Sequence, residues 1–134
     1  MIARWPGRIE RGRVDHTPWY FTDVLPTFAQ LAGAPVPRGI DGASIVPSLL
    51  GRAQPELADR FMYWEFHEGG FQQAVRQGEW KAVLPQRGQP MELYHLPTDI
   101  AESRNVAPDN PDMVGRITEY LKTARTESEE WPVG

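Results

Sequence analysis

The feature that most constrains the fold of this 134-residue chain is a run of strand-like sequence between positions 61 and 84. Two aromatic-rich segments flank Gly69-Gly70, and Gln77-Gly78 leads into a third segment. Glycines of this kind supply the positive φ angles that tight hairpin connections need. Side chains of the first segment alternate between two faces: Met62, Trp64 and Phe66 on one, Tyr63, Glu65 and His67 on the other. The sequence therefore predicts antiparallel strands at about 61–67, 71–76 and 79–84.

The residues after this run predict one more strand and a helix that covers the sheet. Residues 91–95 form a fourth apolar segment. Asn110 stands directly before Pro111, which is the order of an N-cap residue and a first helical position. Apolar residues then recur at helical spacing: Met113, Ile117, Tyr120, Leu121 and Ala124. The predicted fold class is α+β, a four-stranded antiparallel sheet with a C-terminal covering helix.

Helical patterning dominates the part of the chain before these strands. Thr22 is the expected N-cap of a first helix, which is predicted to end at Gly33 in the left-handed conformation. Its expected buried stripe consists of Val24, Leu25, Phe28, Leu31 and Ala32. A shorter helix is predicted between Ser44 and Gly51.

The change from helical to strand-like patterning divides the chain into two parts. Residues 2–5 resemble the end of a strand that is stopped by Pro6-Gly7. The connector at 52–60 is polar and separates the two kinds of sequence. We therefore predict one part at 1–55 (strand, helix, short helix) and a second part at 56–134 (antiparallel sheet plus helix).

Composition and charge exclude several classes of function. The formal net charge is −4, and the chain lacks the dense stripe of lysine and arginine that nucleic-acid binding needs. No apolar run approaches the roughly 20 residues of a membrane span. The absence of cysteine excludes disulfides, thiolate zinc sites and a cysteine nucleophile.

The remaining reactive side chains do not form a catalytic motif. The histidines, His16, His67 and His95, have no partners at metal-binding spacing. No serine lies in a Gly-x-Ser-x-Gly motif. Glu65 and Glu68 could form an acid–base pair, but solvated strand-end carboxylates are the favoured interpretation. We predict no catalytic residue and no metal ligand in this chain.

A series of short motifs carries a family resemblance. In chain order they are Ile2-Ala3-Arg4-Trp5-Pro6-Gly7, Thr22-Asp23-Val24-Leu25-Pro26-Thr27, Ile40-Asp41-Gly42-Ala43-Ser44, Pro47-Ser48-Leu49-Leu50-Gly51, Tyr63-Trp64-Glu65-Phe66, Gln73-Ala74-Val75-Arg76-Gln77-Gly78-Glu79-Trp80-Lys81 and Glu92-Leu93-Tyr94-His95-Leu96. Each motif alone is weak, but their order extends over nearly the whole chain. The sequence resembles the C-terminal third of a type I sulfatase, an arylsulfatase-like member of the alkaline-phosphatase superfamily.

The resemblance implies an α/β parent enzyme that hydrolyses sulfate esters. Its nucleophile would be a formylglycine hydrate, made from the Cys or Ser of a Cys/Ser-x-Pro-x-Arg motif, and a calcium ion would polarise the sulfate. This chain contains no such motif and no Asp-Asp metal pair. Calcium and formylglycine are therefore implied for the full-length family only, and this chain alone is expected to be inactive.

The resemblance also implies a partner, the N-terminal catalytic part of a sulfatase. Residues 1–55 would then be the tail end of the α/β core, and parts of their apolar stripe would have lost their partner. Exposed apolar surface and self-association through residues 1–50 are expected consequences. We expect Met1 to be an internal methionine of the parent, which would explain why no signal-peptide pattern follows it. The family is often periplasmic, secreted or lysosomal, and the compartment of this chain stays open.

On this resemblance, the polar end of the first hairpin faces a sulfated substrate. His67 is the first candidate substrate-binding residue, followed by Glu68 and Glu65, and Arg76 is a weaker candidate. One alternative is a free-standing module that binds carbohydrate or an anion, with Trp64 or Trp80 as a stacking platform. Another is a structural interaction protein. Exposed tryptophan favours the binding module, whereas buried tryptophan favours a role in the core.

Overall fold

The computed structural model describes residues 1–86 and 88–132. The chain divides into two compact units, Met1–Arg60 and Phe61–Gly134. Arg60, the last residue of the first unit, is hydrogen-bonded to Asp23 and to the carbonyl of Pro18 in that unit. Within the described residues, no helix combines the length and the apolar composition needed to cross a bilayer.

The first unit contains two helices, α1 (Val24–Ala32) and α2 (Val46–Leu49). A 3-10 turn precedes α1, so that its N-cap is Asp23 rather than Thr22. Gly33 ends α1 with a φ of 67°, in the predicted left-handed conformation. The short α2 begins after Ser44, whose hydroxyl accepts a hydrogen bond from the Val46 N–H at 3.3 Å.

Two features of the first unit differ from the predictions. Residues 2–5 form no strand, since every described strand lies in the second unit, and an extended segment without a hydrogen-bonded neighbour is not a stable strand. The apolar stripe of α1, whose spacing predicts burial, is largely exposed, with 65% of Phe28 accessible; this agrees with the exposed apolar surface expected for residues 1–50 of a chain without its partner. The opposite, polar side of the helix is buried instead: Asp23 and Thr27 accept hydrogen bonds from the backbone N–H groups of Ala43 and Ile45.

Asp23 is the centre of polar packing in the first unit. Its completely buried carboxylate accepts hydrogen bonds from the Arg60 guanidinium and from the N–H groups of Tyr20 and Ala43. Burial favours the neutral acid, but the hydrogen bonds from Arg60 and the two amides outweigh it and lower the pKa of Asp23. The unit is therefore built around an ionised carboxylate.

The second unit is a four-stranded antiparallel sheet, as predicted. Its strands are β1 (Phe61–Phe66), β2 (Gln72–Gln77), β3 (Trp80–Leu84) and β4 (Glu92–His95), in the order β1-β2-β3-β4. Each strand pairs with its neighbour in the chain, in a register that places Val75 between Tyr63 and Ala82. Gly78 adopts a φ of 55° in the β2–β3 turn, which explains why glycine follows Gln77 there.

A third helix, α3 (Pro111–Leu121), covers one face of this sheet. It begins as predicted, with Asn110 at the N-cap and a proline in the first turn. The completely buried centre of the core consists of Val75, Ala82, Leu93 and Ile117. The ring of Phe61 on β1 stacks on Tyr120 of α3 at a centroid distance of 4.0 Å. The sheet therefore has one face fixed by α3, which gives the β1–β2 hairpin a rigid base.

Candidate functional site

The end of the β1–β2 hairpin gathers polar side chains into one hydrogen-bonded cluster. Alternation along β1 and just beyond it puts Tyr63, Glu65 and His67 on the same face. The Tyr63 hydroxyl donates to Glu65 Oε2 at 2.9 Å, and His67 Nε2 lies 3.3 Å from Glu65 Oε1. Gln73, which pairs with Glu65 across the strands, donates to the Tyr63 hydroxyl at 2.8 Å. Two of the predicted site residues, Glu65 and His67, are therefore in direct contact.

Arg125 joins the cluster from the segment that follows α3. Its Nε donates to Glu65 Oε2 at 3.1 Å, and its other two nitrogens donate to the carboxylate of Glu127 and to the carbonyl of Trp131. Only 9% of the Arg125 side chain is exposed. Sequence reasoning missed this residue because it lies 60 positions from Glu65, and no local pattern links the two.

The cluster sets the charge states of its acidic members. Partial desolvation favours the neutral form of Glu65, but hydrogen bonds from Tyr63 and His67 and the charge of Arg125 outweigh it and lower the pKa of Glu65. Burial, together with the neighbouring Glu65 carboxylate, raises the pKa of Tyr63 to about 12, although the hydrogen bond from Gln73 acts in the opposite direction. At neutral pH the cluster therefore contains an ionised carboxylate beside a neutral phenol.

His67 lies between two aromatic rings at this end of the hairpin. Its ring centroid is 5.1 Å from that of Phe71 and 5.3 Å from that of Trp131, and 21% of its side chain is exposed. An ionised carboxylate can only accept hydrogen bonds, so Nε2 must carry the proton in the contact with Glu65. In the neutral ring, Nδ1 is then an acceptor, and it has no hydrogen-bond partner among residues 1–86 and 88–132.

Glu68 lies beside the cluster but is not hydrogen-bonded to it. Its side chain is exposed, and within the described part of the chain it forms no hydrogen bond or ion pair. Glu65, in contrast, already has three partners. Of the two carboxylates predicted at the hairpin end, Glu68 is therefore the one available to an external ligand.

Arg76 does not belong to this cluster. It pairs with Met62 near the other end of the hairpin, and its Nε donates to the Gly78 carbonyl at 3.1 Å. Strand alternation also puts Arg76 on the opposite face of the sheet from Gln73, the partner of Glu65. The four predicted substrate-binding residues thus do not converge, and Arg76 stands apart from the other three.

The two tryptophans proposed as stacking platforms differ in their environment. Trp80 packs against the core and lies against His95, with ring centroids 4.7 Å apart. Trp64 on the edge strand β1 is 41% exposed. Trp80 is therefore part of the core, while Trp64 offers accessible aromatic surface.

The residues of this chain do not fit the cofactors implied for full-length sulfatases. The described residues include no group of three or more His, Asp or Glu side chains that could hold a metal ion. The sequence also has no cysteine and no Cys/Ser-x-Pro-x-Arg motif from which formylglycine could be made. Calcium and formylglycine belong to the catalytic domain that the sulfatase family implies.

The sequence of this chain is similar to those of sulfatases. The family model for "N-sulphoglucosamine sulphohydrolase, C-terminal" matches residues 1–129. N-acetylgalactosamine-6-sulfatase of Canis lupus familiaris is 34% identical over 108 residues, which are 79% of this chain and 20% of that protein. Arylsulfatase K of Danio rerio is 31% identical over 131 residues, which are 92% of this chain and 25% of that protein.

The fold is also similar to that of a solved sulfatase structure. The structure of a 2-O GAG sulfatase aligns with a TM-score of 0.64 at 29% identity, over 75% of this chain and 23% of that chain. The chain spans a quarter or less of the length of these relatives. Because the family model extends over residues 1–129 and the fold agrees, the chain belongs to the N-sulphoglucosamine sulphohydrolase C-terminal family and corresponds to the C-terminal portion of a sulfatase.

Proposed function

We propose that this C-terminal portion packs on the N-terminal catalytic part of a sulfatase and lines its substrate pocket with the end of the β1–β2 hairpin. The parent reaction is hydrolysis of a sulfate ester. This chain alone does not catalyse it, because the nucleophile and the calcium ligands belong to the catalytic part.

The observation that carries this proposal is the exposed apolar side of α1. Leu25, Phe28 and Leu31 lie at helical spacing on this side, and all three are exposed. Complete burial of an exposed side chain of this kind contributes roughly 1.5–3 kcal/mol, and about half of that remains to be gained here because 41–65% of each side chain is exposed. The matched segment is only 25% of arylsulfatase K, and the remainder of a sulfatase is the occupant that we assign to this surface. In its absence, the same surface supports self-association of the isolated chain.

Charge at the hairpin end suggests which part of a substrate it contacts. Glu65 is ionised and Glu68 is free, so the negatively charged sulfate is disfavoured next to them. The free Glu68 carboxylate, and Nδ1 of His67 when the ring is neutral, suit hydroxyl donors. We assign the hairpin end to the alcohol portion of the sulfate ester, and the sulfate itself to the catalytic part.

The test combines this chain with a separately produced N-terminal part of a sulfatase relative. With an aryl sulfate and calcium, the chain alone should give no turnover above a boiled control, and the N-terminal part should gain activity when the chain is added. Phe28→Asp should weaken that gain. Ile100→Asp, which changes an exposed apolar residue of the second unit, is the matched control.

Two outcomes would contradict the proposal. Turnover by the chain alone would show that it holds its own catalytic groups. An equal gain with Phe28→Asp and with the unchanged chain would exclude α1 as the docking surface. Light scattering on the same samples measures self-association, which Phe28→Asp should reduce.

The exposed Trp64 supports a second candidate, a carbohydrate-binding module. A sugar ring that packs on the indole of Trp64 would shield this side chain from a soluble quencher. Acrylamide quenching with and without a sulfated oligosaccharide, in the unchanged chain and in Trp64→Phe, tests this candidate. Equal quenching under all conditions would exclude it.

A further inference from the structure

The segment after α3 returns to the end of the β1–β2 hairpin and contacts it through three kinds of interaction. Arg125 forms an ion pair with Glu65 and lies over the ring of Phe71 at 6.0 Å. Trp131 places its ring against His67. These contacts come from residues 125–131, which we name the C-terminal strap.

Arg125 connects the strap to the hairpin. One guanidinium group binds Glu65 of the hairpin through Nε, and binds Glu127 and the Trp131 carbonyl of the strap through its other nitrogens. The contact with the Trp131 carbonyl, at 2.5 Å, fixes the backbone that carries the ring beside His67. A planar fork with several donors can hold three acceptors at once, whereas an ammonium group cannot reproduce this geometry.

The orientation of His67 depends on the same contacts. Glu65 accepts from Nε2 of His67, Arg125 holds Glu65, and the rings of Phe71 and Trp131 flank the imidazole. Without the strap, one flanking ring and the cation that fixes Glu65 would both be lost. The imidazole could then rotate and exchange its tautomer.

We propose that the C-terminal strap positions His67, with Arg125 as the positioning residue that keeps Nε2 on Glu65 and leaves Nδ1 as the free acceptor. The strap thereby determines which imidazole nitrogen of His67 can accept a hydrogen bond from a ligand hydroxyl at the hairpin end. The biological meaning of this inference rests on the proposed function of that hairpin end. The test of this inference does not measure enzymatic activity, so its failure can be distinguished from a failure of the proposed function.

The experiment uses the full chain and records imidazole NMR signals of His67 together with amide hydrogen exchange over residues 65–71. Arg125→Gln removes the guanidinium that joins the strap to Glu65. Arg125→Lys keeps the positive charge but lacks the planar guanidinium. Trp131→Ala removes the ring that flanks His67. The control is Lys122→Gln, which removes an exposed charge that pairs with Glu119 at the end of α3.

We expect the unchanged chain to show the Nε2-protonated tautomer of His67. Arg125→Gln and Trp131→Ala should each shift the His67 ring signals and speed exchange over residues 65–71 by about tenfold, since the local structure opens more often. Arg125→Lys should give an intermediate effect, and Lys122→Gln should leave both readouts unchanged.

The proposal is overturned if Trp131→Ala and Arg125→Gln leave the His67 signals and the exchange rates as they are in the unchanged chain. An Nδ1-protonated tautomer in the unchanged chain would overturn it equally. If Arg125→Gln does not fold, Trp131→Ala decides alone, because the exposed ring contributes little to the core.

Discussion

Arg60 and Asp23 lie 37 positions apart and form the central ion pair of the first unit. The Asp23 carboxylate is completely buried, and the guanidinium is largely buried as well. The pair fixes the last residue of the first unit to the start of α1. Removal of one partner would leave the other charge buried without compensation.

Asp23→Ala should strongly destabilise the first unit. Loss of the carboxylate removes the ion-pair partner of Arg60 and the acceptor of the Tyr20 and Ala43 amides, at a cost of about 3–5 kcal/mol. Hydrogen exchange of these two amides measures the effect directly. As the control, Asp41→Ala removes an exposed carboxylate and should change the stability of the first unit by less than about 0.5 kcal/mol. Similar effects of the two substitutions would refute the role of Asp23.

Acid should loosen the first unit through the same residue. The folded pKa of Asp23 lies below its unfolded value of 3.8, so this stabilisation is fully present above pH 3.8 and is lost as the pH falls through the folded pKa. Asp23→Asn should flatten this part of the pH dependence. The measurement is urea unfolding at a series of pH values between about 5 and 2. The same acid dependence in Asp23→Asn and in the unchanged chain would contradict the prediction.

Alkaline titration should test the environments of Tyr63 and Tyr94. Tyr63 and Tyr94 should remain protonated at pH 11, since both have a pKa raised to about 12. The main causes are burial for Tyr63 and the hydrogen bond to Glu92 for Tyr94. Ultraviolet absorption of tyrosinate follows the titration. Glu65→Gln should lower the pKa of Tyr63 and leave that of Tyr94 unchanged; a common shift of both would show that the assignment is wrong.

Two glycines should respond to alanine in opposite directions. A Cβ atom on Gly42 would overlap the backbone carbonyl of Thr22, so Gly42→Ala should destabilise the first unit by about 1–3 kcal/mol. A Cβ atom on Gly115 in α3 meets nothing within 4 Å. Gly115→Ala should therefore stabilise the second unit by about 0.5–1 kcal/mol. Thermal unfolding of both variants gives the signs, and a stabilising Gly42→Ala would rule out the tight approach.

The second unit could be predicted from the sequence because its signals are local. Gly69-Gly70 and Gly78, together with the alternation along residues 62–67, predict strands that agree with β1, β2 and β3 to within one residue at each end. The cap at Asn110 and the spacing after it likewise predicted α3. These patterns depend only on residues near each other in the chain.

The first unit and the site were less predictable because their decisive contacts are not local. The spacing of Leu25 and Phe28 predicts an apolar face but cannot say whether a partner covers it. The burial of Asp23 depends on Arg60, far along the chain. At the hairpin end, alternation predicted that Glu65 and His67 share a face, but no local sequence pattern could predict the contact of Arg125 with Glu65.

The succession of the strands has a consequence for the order of folding. Each sheet contact joins one strand to the next, whereas Glu65 and Arg125 meet across 60 positions. Short loops lose less chain entropy on closure, and local contacts form faster. We expect the four strands to assemble before α3 docks and the C-terminal strap to settle last. Unfolding fluctuations should follow the reverse path, so the earliest reversible opening uncovers His67 while the sheet stays paired.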